Sequence, residues 1–355
     1  MRRRIWLCLI CLTTLLVADV AGAGARPSTP PVLADCPVLP ADNIWNTRVD
    51  QLPLAARSAA YIASIGPTRG IHPDFGAGLY EGHPIGIPLI TVPAGQPSVP
   101  IVFGPDGYPD ESDSGPFPIP ANAPIEGGPD SDGDRHVLVV QEGSCRLYEL
   151  YRAFPQDNGS WQADASAVYD LNLHALRPDT WTSADAAGLP ILPGLVRYDE
   201  VVAGAINHAL RFTIQNTQRA YVWPARHYAS SNTNLNVAPM GQRFRLRADF
   251  PIGDFAPEVQ VILLALKQYG IIVADNGGNW FLSGAPDERW NNDVLVEELA
   301  RVKGADFEAV DVSSLQIDPD SGQARVAIDF TPTHWFYLPN VDRNAGGTIP
   351  PSTTD

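Results

Sequence analysis

Three aspartates alternate in the segment GGPDSDGDRH, which covers residues 127–136. Asp130, Asp132 and Asp134 are each separated by one residue, and Gly133 permits a tight turn between the last two. Carboxylates that converge on such a turn can bind a hard cation, and calcium takes about six to eight oxygen ligands. The EF-hand pattern is incomplete, since it requires a glycine after the third acid and a later bidentate glutamate. The segment therefore predicts either a calcium-binding loop or a solvated acidic loop in front of a strand.

Carboxylates at the ends of predicted strands offer a second kind of chemistry. Cleavage of a glycosidic bond needs two carboxyl groups, one of which has a raised pKa and donates a proton. Asp275 ends the apolar strand IIVAD beside the turn NGG, and Asp134 precedes the strand HVLVVQ. Glu149 alternates with apolar residues in LYELY, so it faces either solvent or a concave sheet surface. These three are candidate catalytic carboxylates, although an aspartate before Asn-Gly is also ordinary turn chemistry.

One histidine lies on the apolar face of a predicted strand. In AINHALRFTI, residues 205–214, alternation places His208 in the same row as Ile206 and Phe212. Such a histidine is either a neutral core residue with a good hydrogen bond or a catalytic group facing a cleft. In the second case we expect His208 to share that cleft with His227 and Asp275.

Aromatic and basic residues are concentrated in VWPARHY, where Pro224 interrupts the strand. Aromatic faces can stack on sugar rings, while arginine binds polar or acidic groups; buried core packing is the alternative role for each aromatic residue. Histidine, tyrosine and arginine together would also suit a polysaccharide lyase, which abstracts a proton and neutralises a substrate carboxylate. The residues that we predict to bind substrate are Trp223, Arg226, Tyr228, Arg211 and Trp280.

Several large enzyme classes lack their motifs in this sequence. There is no HExxH helix, zinc spacing of cysteine and histidine, P-loop, GxGxxG or GxSxG elbow. These absences argue against zinc proteases, nucleotide-dependent enzymes and common α/β-hydrolases. Chemistry by dispersed carboxylates leaves no such motif and stays compatible with the sequence.

The N-terminus has the three parts of a secretory signal peptide. Three arginines (2–4) precede an apolar run at residues 5–18, and the small residues 21–23 form a cleavage site. The run is shorter than the about 20 residues of a membrane span. We therefore predict a signal peptide at 1–23, an extended leader at 24–40 and a secreted protein with no membrane association after cleavage.

Cysteine usage agrees with export. Two of the four cysteines lie within the predicted signal peptide, which leaves Cys36 and Cys145. An even pair in an exported chain predicts one disulfide bond, with two unpaired thiols as the alternative.

The overall charge limits the partners. The chain carries 24 basic and 40 acidic residues, a formal net charge of −16. An acidic surface disfavours nucleic acid and anionic lipid, and it suits a neutral or cationic ligand or simple solubility.

Composition and patterning indicate a mainly β protein. The chain contains 30 glycines and 34 prolines, and only 18% of its residues are charged, so we expect many turns and few amphipathic helices. A three-stranded meander is predicted over 135–171, helices over 256–269 and 293–303, and a hairpin around NGG. The predicted fold is a β-sandwich or jelly-roll-like domain with two or three packed helices, over residues 41–338 and followed by a flexible tail at 339–355. The alternative is a two-domain α+β layout divided near residue 130.

The sequence thus favours a secreted carbohydrate-active enzyme. We expect a glycoside hydrolase that uses paired carboxylates on an extracellular or cell-wall polysaccharide. A non-catalytic carbohydrate-binding or cell-surface protein, a polysaccharide lyase and a structural secreted protein are the alternatives. Calcium is the one cofactor that the sequence suggests.

Overall fold

The computed structural model describes residues 29–325. The predicted signal peptide (1–23) and C-terminal tail (339–355) lie outside the described residues, so both stay predictions. Within the described range, no helix combines the length and the apolar character needed to cross a membrane.

Seventeen strands, four α-helices and several short 3-10 helices make up the described chain. The strands are β1 (Val32–Leu33), β2 (Cys36–Pro37), β3 (His72–Asp74), β4 (Leu79–Tyr80), β5 (His83–Pro84), β6 (Leu89–Val92), β7 (Ile101–Phe103), β8 (Val137–Gln141), β9 (Arg146–Tyr151), β10 (Phe154–Pro155), β11 (Trp161–Ala163), β12 (Ala165–Asp170), β13 (Leu210–Ile214), β14 (Arg243–Leu246), β15 (Ile271–Asn276), β16 (Phe281–Ser283) and β17 (Phe307–Val310). The helices are α1 (Ser58–Ile65), α2 (Tyr198–Ala203), α3 (Pro257–Gln268) and α4 (Asn292–Leu299). The predicted β-rich fold with a few helices is confirmed.

A four-stranded sheet, in the order β12-β9-β8-β6, contains the predicted meander. Strands β8, β9 and β12 pair antiparallel, whereas β6 joins β8 in parallel. Both faces of this sheet are buried: Leu138 and Val140 belong to the larger apolar core, and Val137 and Val139 belong to a smaller one. The apolar run VLVV is therefore a strand covered on both sides, which explains why it does not alternate with polar residues.

A six-stranded mixed sheet follows the order β17-β14-β15-β13-β16-β3. The predicted hairpin of β15 with β16 is wrong, because β13 lies between them and pairs with both. The NGG segment caps the end of β13: the Gly277 amide donates to the Ile214 carbonyl at 3.0 Å, and the Thr213 hydroxyl donates to the Gly278 carbonyl at 2.8 Å. A Cβ atom on Gly277 would lie 2.6 Å from the Thr213 hydroxyl, so this close approach requires glycine.

The predicted disulfide bond is confirmed. Cys36 and Cys145 are joined at an S–S distance of 2.06 Å, which ties the start of the described chain to the turn between β8 and β9. The helix predicted over 256–269 is α3, which begins with Pro257 and buries Val259, Ile262 and Leu266. Its C-terminal stop is Gly270, whose φ of +69° favours glycine.

Candidate active site

Charged side chains from the six-stranded sheet and from neighbouring loops form one interacting cluster, which we name the Asp275 site. Its members share electrostatic interactions or direct ion pairs, and they are Asp74, Glu126, Asp134, His136, Asp185, Arg211 and Asp275.

The six-stranded sheet positions one row of this site. Phe212 on β13 pairs with Leu282 on β16, which brings Arg211 opposite Ser283, and their side chains form a hydrogen bond of 2.6 Å. Ser283 in turn pairs with Asp74 on β3. Cross-strand neighbours project from the same face of a sheet, so Arg211, Ser283 and Asp74 lie in one row.

A bulge in β15 brings Asp275 to the same face. Phe212 pairs with Val273, but Thr213 pairs with Asp275, so Ala274 is an extra residue without a partner on β13. Because side chains alternate along a strand, this extra residue turns Asp275 toward the face that carries Thr213 and Arg211. The Ala274 carbonyl accepts a hydrogen bond of 2.9 Å from the Ala187 amide, which anchors the loop of Asp185 at the bulge.

Arg211 and Asp185 form a buried bidentate ion pair. Arg211 Nε and Nη2 donate to the two Asp185 oxygens at 2.7 and 2.9 Å. Both side chains are buried, and the Asp185 carboxylate raises the pKa of Arg211 against the effect of burial. The backbone around Asp185 is also fastened, since the Ser183 hydroxyl donates to the Leu189 carbonyl at 2.7 Å. This pair is a rigid and desolvated structural support for the site.

Asp275 shares Arg211 with Asp185 but remains in contact with solvent. One Asp275 oxygen lies 3.5 Å from Arg211 Nη2, and 20% of its side chain is exposed. Burial and the nearby Asp185 charge raise the pKa of Asp275 to about 7, although Arg211 opposes the rise. Asp275 is therefore an acid that can hold and release a proton near neutral pH.

A second ion pair joins Glu126 to His136 at the start of β8. Glu126 lies 2.5 Å from His136 Nδ1, and His136 Nε2 lies 2.9 Å from the Ala184 carbonyl. Burial disfavours the charged imidazole, but the Glu126 carboxylate outweighs it and raises the pKa of His136 to about 9. With acceptors at both ring nitrogens, His136 is a protonated donor to each.

Asp134 and Tyr151 lie at the exposed side of the site. Asp134 is exposed and interacts electrostatically with Asp275 and His136. Tyr151 is half-buried, and its pKa is raised by burial and further by Asp134 and Asp275. Asp134 forms no ion pair with any residue between 29 and 325, so its carboxylate is available to a ligand.

Glu149 lies beneath the site, fully buried. Its carboxyl accepts hydrogen bonds of 3.0 and 2.9 Å from the amides of Ile191 and Leu192. Burial raises the pKa of Glu149 to about 7 despite these donors. Glu149 thus holds the segment that follows Asp185. A catalytic role, as predicted from the sequence, would require contact with a substrate, and its complete burial prevents that contact.

The acidic loop is organised by an arginine. Asp130 and Asp132 are exposed, and Arg135 Nη1 donates to the carbonyls of Pro129 and Ser131, each at 2.8 Å. Among residues 29–325, no three acidic, histidine or cysteine side chains are arranged to hold a metal ion. The calcium loop of Asp130, Asp132 and Asp134 stays a prediction.

The predicted substrate-binding residues are dispersed. Trp280 lies in the core against Phe212 and Phe307 and donates to the Gly66 carbonyl at 3.0 Å, which corrects its predicted role in stacking on sugar. Trp223 is half-buried and donates to the Ser321 carbonyl at 2.8 Å.

Arg226, His227 and Tyr228 form a separate surface. Arg226 is buried and pairs with Asp320 at 2.6 Å, whereas His227 Nδ1 contacts the Ala186 carbonyl at 2.8 Å. The half-buried rings of His227 and Tyr228 are nearly parallel, with centroids 5.8 Å apart. None of the contacts of these three residues reaches Asp275.

His208 is a core residue. It precedes β13, is buried, and contacts the Ala209 carbonyl at 2.8 Å and Glu200 Oε2 at 3.1 Å. Burial favours neutral Glu200, but His208 and Arg197 outweigh it and lower the pKa of Glu200 to about 2. These contacts show that His208 fastens α2 to the sheet. The predicted cleft shared by His208, His227 and Asp275 is therefore wrong.

Replacing His208 by phenylalanine tests this structural role. Glu200 loses one of its two side-chain partners, His208 and Arg197, so we expect the free energy of unfolding to fall by about 1–3 kcal/mol. Urea denaturation followed by tryptophan fluorescence measures the change. Any enzymatic activity is expected to survive in the folded fraction, and its complete loss in a stable variant would return His208 to the list of catalytic candidates.

The Glu126–His136 pair predicts a pH dependence of stability. The pKa of His136 is about 9 in the folded chain and 6.5 as its ordinary value, so its contribution is complete below pH 6.5 and is lost as the pH rises through 9. Glu126→Gln removes the partner that raises this pKa. We expect wild-type stability to fall more steeply between pH 6 and pH 9 than that of the variant, and equal slopes would contradict the assignment.

Sequence reasoning missed four members of the Asp275 site. Asp185 lies in TSADAAG, residues 182–188, which form no helix and instead fold around the Ser183 and Asp185 hydrogen bonds. Asp74, Glu126 and His136 carry no local motif. Only His136 stands at the boundary of an apolar strand, which is the feature that identified Asp275.

Comparison of the chain with models of protein families, with curated proteins and with solved structures gave no match.

Proposed function

We propose that this protein is a secreted glycoside hydrolase that acts on an extracellular or cell-wall polysaccharide, with Asp275 as proton donor and Asp134 as the second catalytic carboxyl group. The observation that carries the proposal is geometric. A partly exposed carboxyl group lies against a desolvated Arg211–Asp185 pair and interacts with a second, exposed carboxylate.

The environments of the two carboxyl groups support different roles. Asp275 is crowded by protein and by the Asp185 charge, and with a pKa of about 7 it keeps its proton at mildly acidic pH. Asp134 is exposed and forms no ion pair among residues 29–325, so its carboxyl group is open to a water molecule or a sugar. Two carboxyl groups in environments as different as these can act, one as the acid and the other as the base or nucleophile.

The other acids of the site are less suited to catalysis. Asp185 is fully buried and bound by Arg211 through two hydrogen bonds. Glu126 is held by His136 at 2.5 Å. A carboxylate that is engaged in this way has little freedom to accept a proton or attack a sugar. Of the two remaining acids, Asp74 and Asp134, only Asp134 interacts with Asp275, so it is the proposed partner.

In the proposed reaction, Asp275 protonates the glycosidic oxygen while the bond to the anomeric carbon breaks. Asp134 either removes a proton from the attacking water or forms a covalent intermediate that water then hydrolyses. The half-buried Tyr151, beside both acids, offers a ring surface for a sugar. Arg211, which is fixed by Asp185, holds Asp275 in place.

A polysaccharide panel tests the proposal. The purified protein is incubated with laminarin, xylan, mannan, dextran and polygalacturonate, and both new reducing ends and unsaturated products are measured. We expect reducing ends without unsaturated products. Asp275→Asn and Asp134→Asn are the test variants, and Asp132→Asn is the matched control because Asp132 is an exposed acid of the same loop.

Two other outcomes would replace the proposal. Unsaturated products would indicate a lyase, although Arg211 and His208, the groups suited to it, are already bound to Asp185 and Glu200. Retention of a polysaccharide without cleavage would indicate a binding protein. The observation that favours this second function is the row of partly exposed rings of Tyr221, His227 and Tyr228.

A further inference from the structure

A pocket of about 360 Å³ opens beside β10 and β11, outside the Asp275 site. Its size falls within the roughly 300–1,000 Å³ of known ligand pockets. We propose that this pocket binds a neutral sugar unit of the same polysaccharide chain that the Asp275 site cleaves. The proposal rests on the proposed function for the identity of the chain, but its binding step is measurable without catalysis.

The polar lining of the pocket suits sugar hydroxyl groups. Gln162 and Asp106 line it, and neither side chain has a hydrogen-bond partner in the described part of the chain. A planar amide and a planar carboxylate can each bind two neighbouring hydroxyls, the amide with a donor and an acceptor. The pocket therefore has hydrogen-bonding capacity that the protein itself does not use.

The charge of the lining favours a neutral ligand. Arg152 is the cation of the pocket, and its Nε already pairs with Asp164 at 2.8 Å. Asp106 is a second carboxylate without such a partner. An anionic sugar would therefore meet an uncompensated negative charge, whereas a neutral sugar can donate hydroxyl protons to it.

Phe154 gives the pocket an apolar surface. Its ring lines the pocket, and the Arg135 guanidinium lies 4.1 Å from the ring centroid. This cation fixes the ring in place. An aromatic ring beside planar polar groups is a suitable surface for the apolar face of a pyranose.

The pocket and the Asp275 site adjoin along the chain. Tyr151 belongs to the surroundings of Asp134 and Asp275, and the next residue, Arg152, lines the pocket. The Arg152 amide also donates to the Asp134 carbonyl at 2.8 Å. A polysaccharide cleaved at Asp275 can thus extend into the pocket, and this arrangement predicts cleavage within chains rather than at their ends.

Affinity electrophoresis of a catalytically disabled protein tests binding separately from hydrolysis. Asp275→Asn protein is run through gels containing laminarin, xylan, mannan or dextran, with polygalacturonate and hyaluronan as anionic probes. We expect retardation by a neutral polymer and none by the anionic ones. Adding Gln162→Ala is expected to raise the dissociation constant about five- to tenfold through the loss of hydrogen bonds, and Asp106→Ala to act in the same direction. Gln51→Ala, at an exposed glutamine outside the pocket, is the matched control.

The outcomes separate this inference from the proposed function. Retardation that depends on Gln162 and Asp106, together with wild-type protein that cleaves nothing, would support the pocket and overturn the hydrolase. Cleavage by wild-type protein with an unchanged KM in both pocket variants would overturn the pocket and leave the hydrolase. Stronger retardation by polygalacturonate or hyaluronan, or no retardation by any neutral polymer, would also overturn it.

Discussion

Replacing Asp275 by asparagine is expected to lower the rate of polysaccharide hydrolysis by about 10²–10⁴-fold, the range typical of a general acid. Asparagine keeps the size of the side chain but has no proton to give to the leaving oxygen. Because the pKa of Asp275 is about 7, wild-type activity should fall as the pH rises through 7. The residual activity of the variant should not show this fall above pH 7. Initial rates between pH 4 and pH 9, measured on the polysaccharide that the panel identifies as the substrate, test both effects.

The same variant has a signature in stability that does not depend on a substrate. The pKa of Asp275 is raised above its ordinary 3.8, so the folded chain binds this proton more tightly and loses stability as the pH rises from about 4 through 7. Asp275→Asn removes that loss, and its free energy of unfolding should decline less over this range. A variant with full activity and an unchanged pH dependence would remove Asp275 from the mechanism. Asp132→Asn should match wild type in both measurements.

Replacing Arg211 by methionine is expected to lower the free energy of unfolding by about 3–5 kcal/mol. The change leaves the fully buried Asp185 carboxylate without its bidentate partner, and it also removes the hydrogen bond to Ser283. Burying an unpaired charge costs more than the ion pair contributes, so the effect exceeds that of removing a surface pair. Urea denaturation at pH 5 with the disulfide intact measures it.

Two further variants decide the interpretation of that result. Arg211→Met with Asp185→Leu removes both charges, and we expect it to recover much of the lost stability because no unpaired charge remains. Arg247→Met breaks an exposed pair with Asp249 and should leave the unfolding midpoint unchanged. If Arg211→Met lowered the free energy of unfolding no more than Arg247→Met does, the Arg211–Asp185 pair would not be the desolvated structural support of the site.

Patterns within a single element predicted much of the fold. The apolar runs of β8 and β9, with a turn between them, gave the meander, and the apolar spacing before Gly270 gave α3. These predictions succeeded because burial on one face or both leaves a local signature in the order of residues. The disulfide was predictable for a simpler reason, since only two cysteines follow the predicted signal peptide.

The sequence also indicated part of the candidate site. Asp275 and Asp134 stand at strand boundaries beside turns, where side chains are exposed yet held by a rigid sheet, and the two carboxyl groups interact in the structure. Trp280 shows the limit of the same reasoning. A tryptophan directly before a short strand has no local feature that distinguishes a sugar-binding ring from a core residue, and only its contacts with Phe212 and Phe307 decide the matter.

The sequence by itself determined the mainly β character, the disulfide pair and the strand-end acids, because each follows from local periodicity or from a count of residues. Tertiary structure alone decided that β13 lies between β15 and β16, that a bulge turns Asp275 toward Arg211, and that Asp185 is its buried partner. The reason is physical: strand order and burial depend on which distant segments pack together. Asp185 and Arg211 are 26 residues apart, and no pattern within either segment encodes their contact.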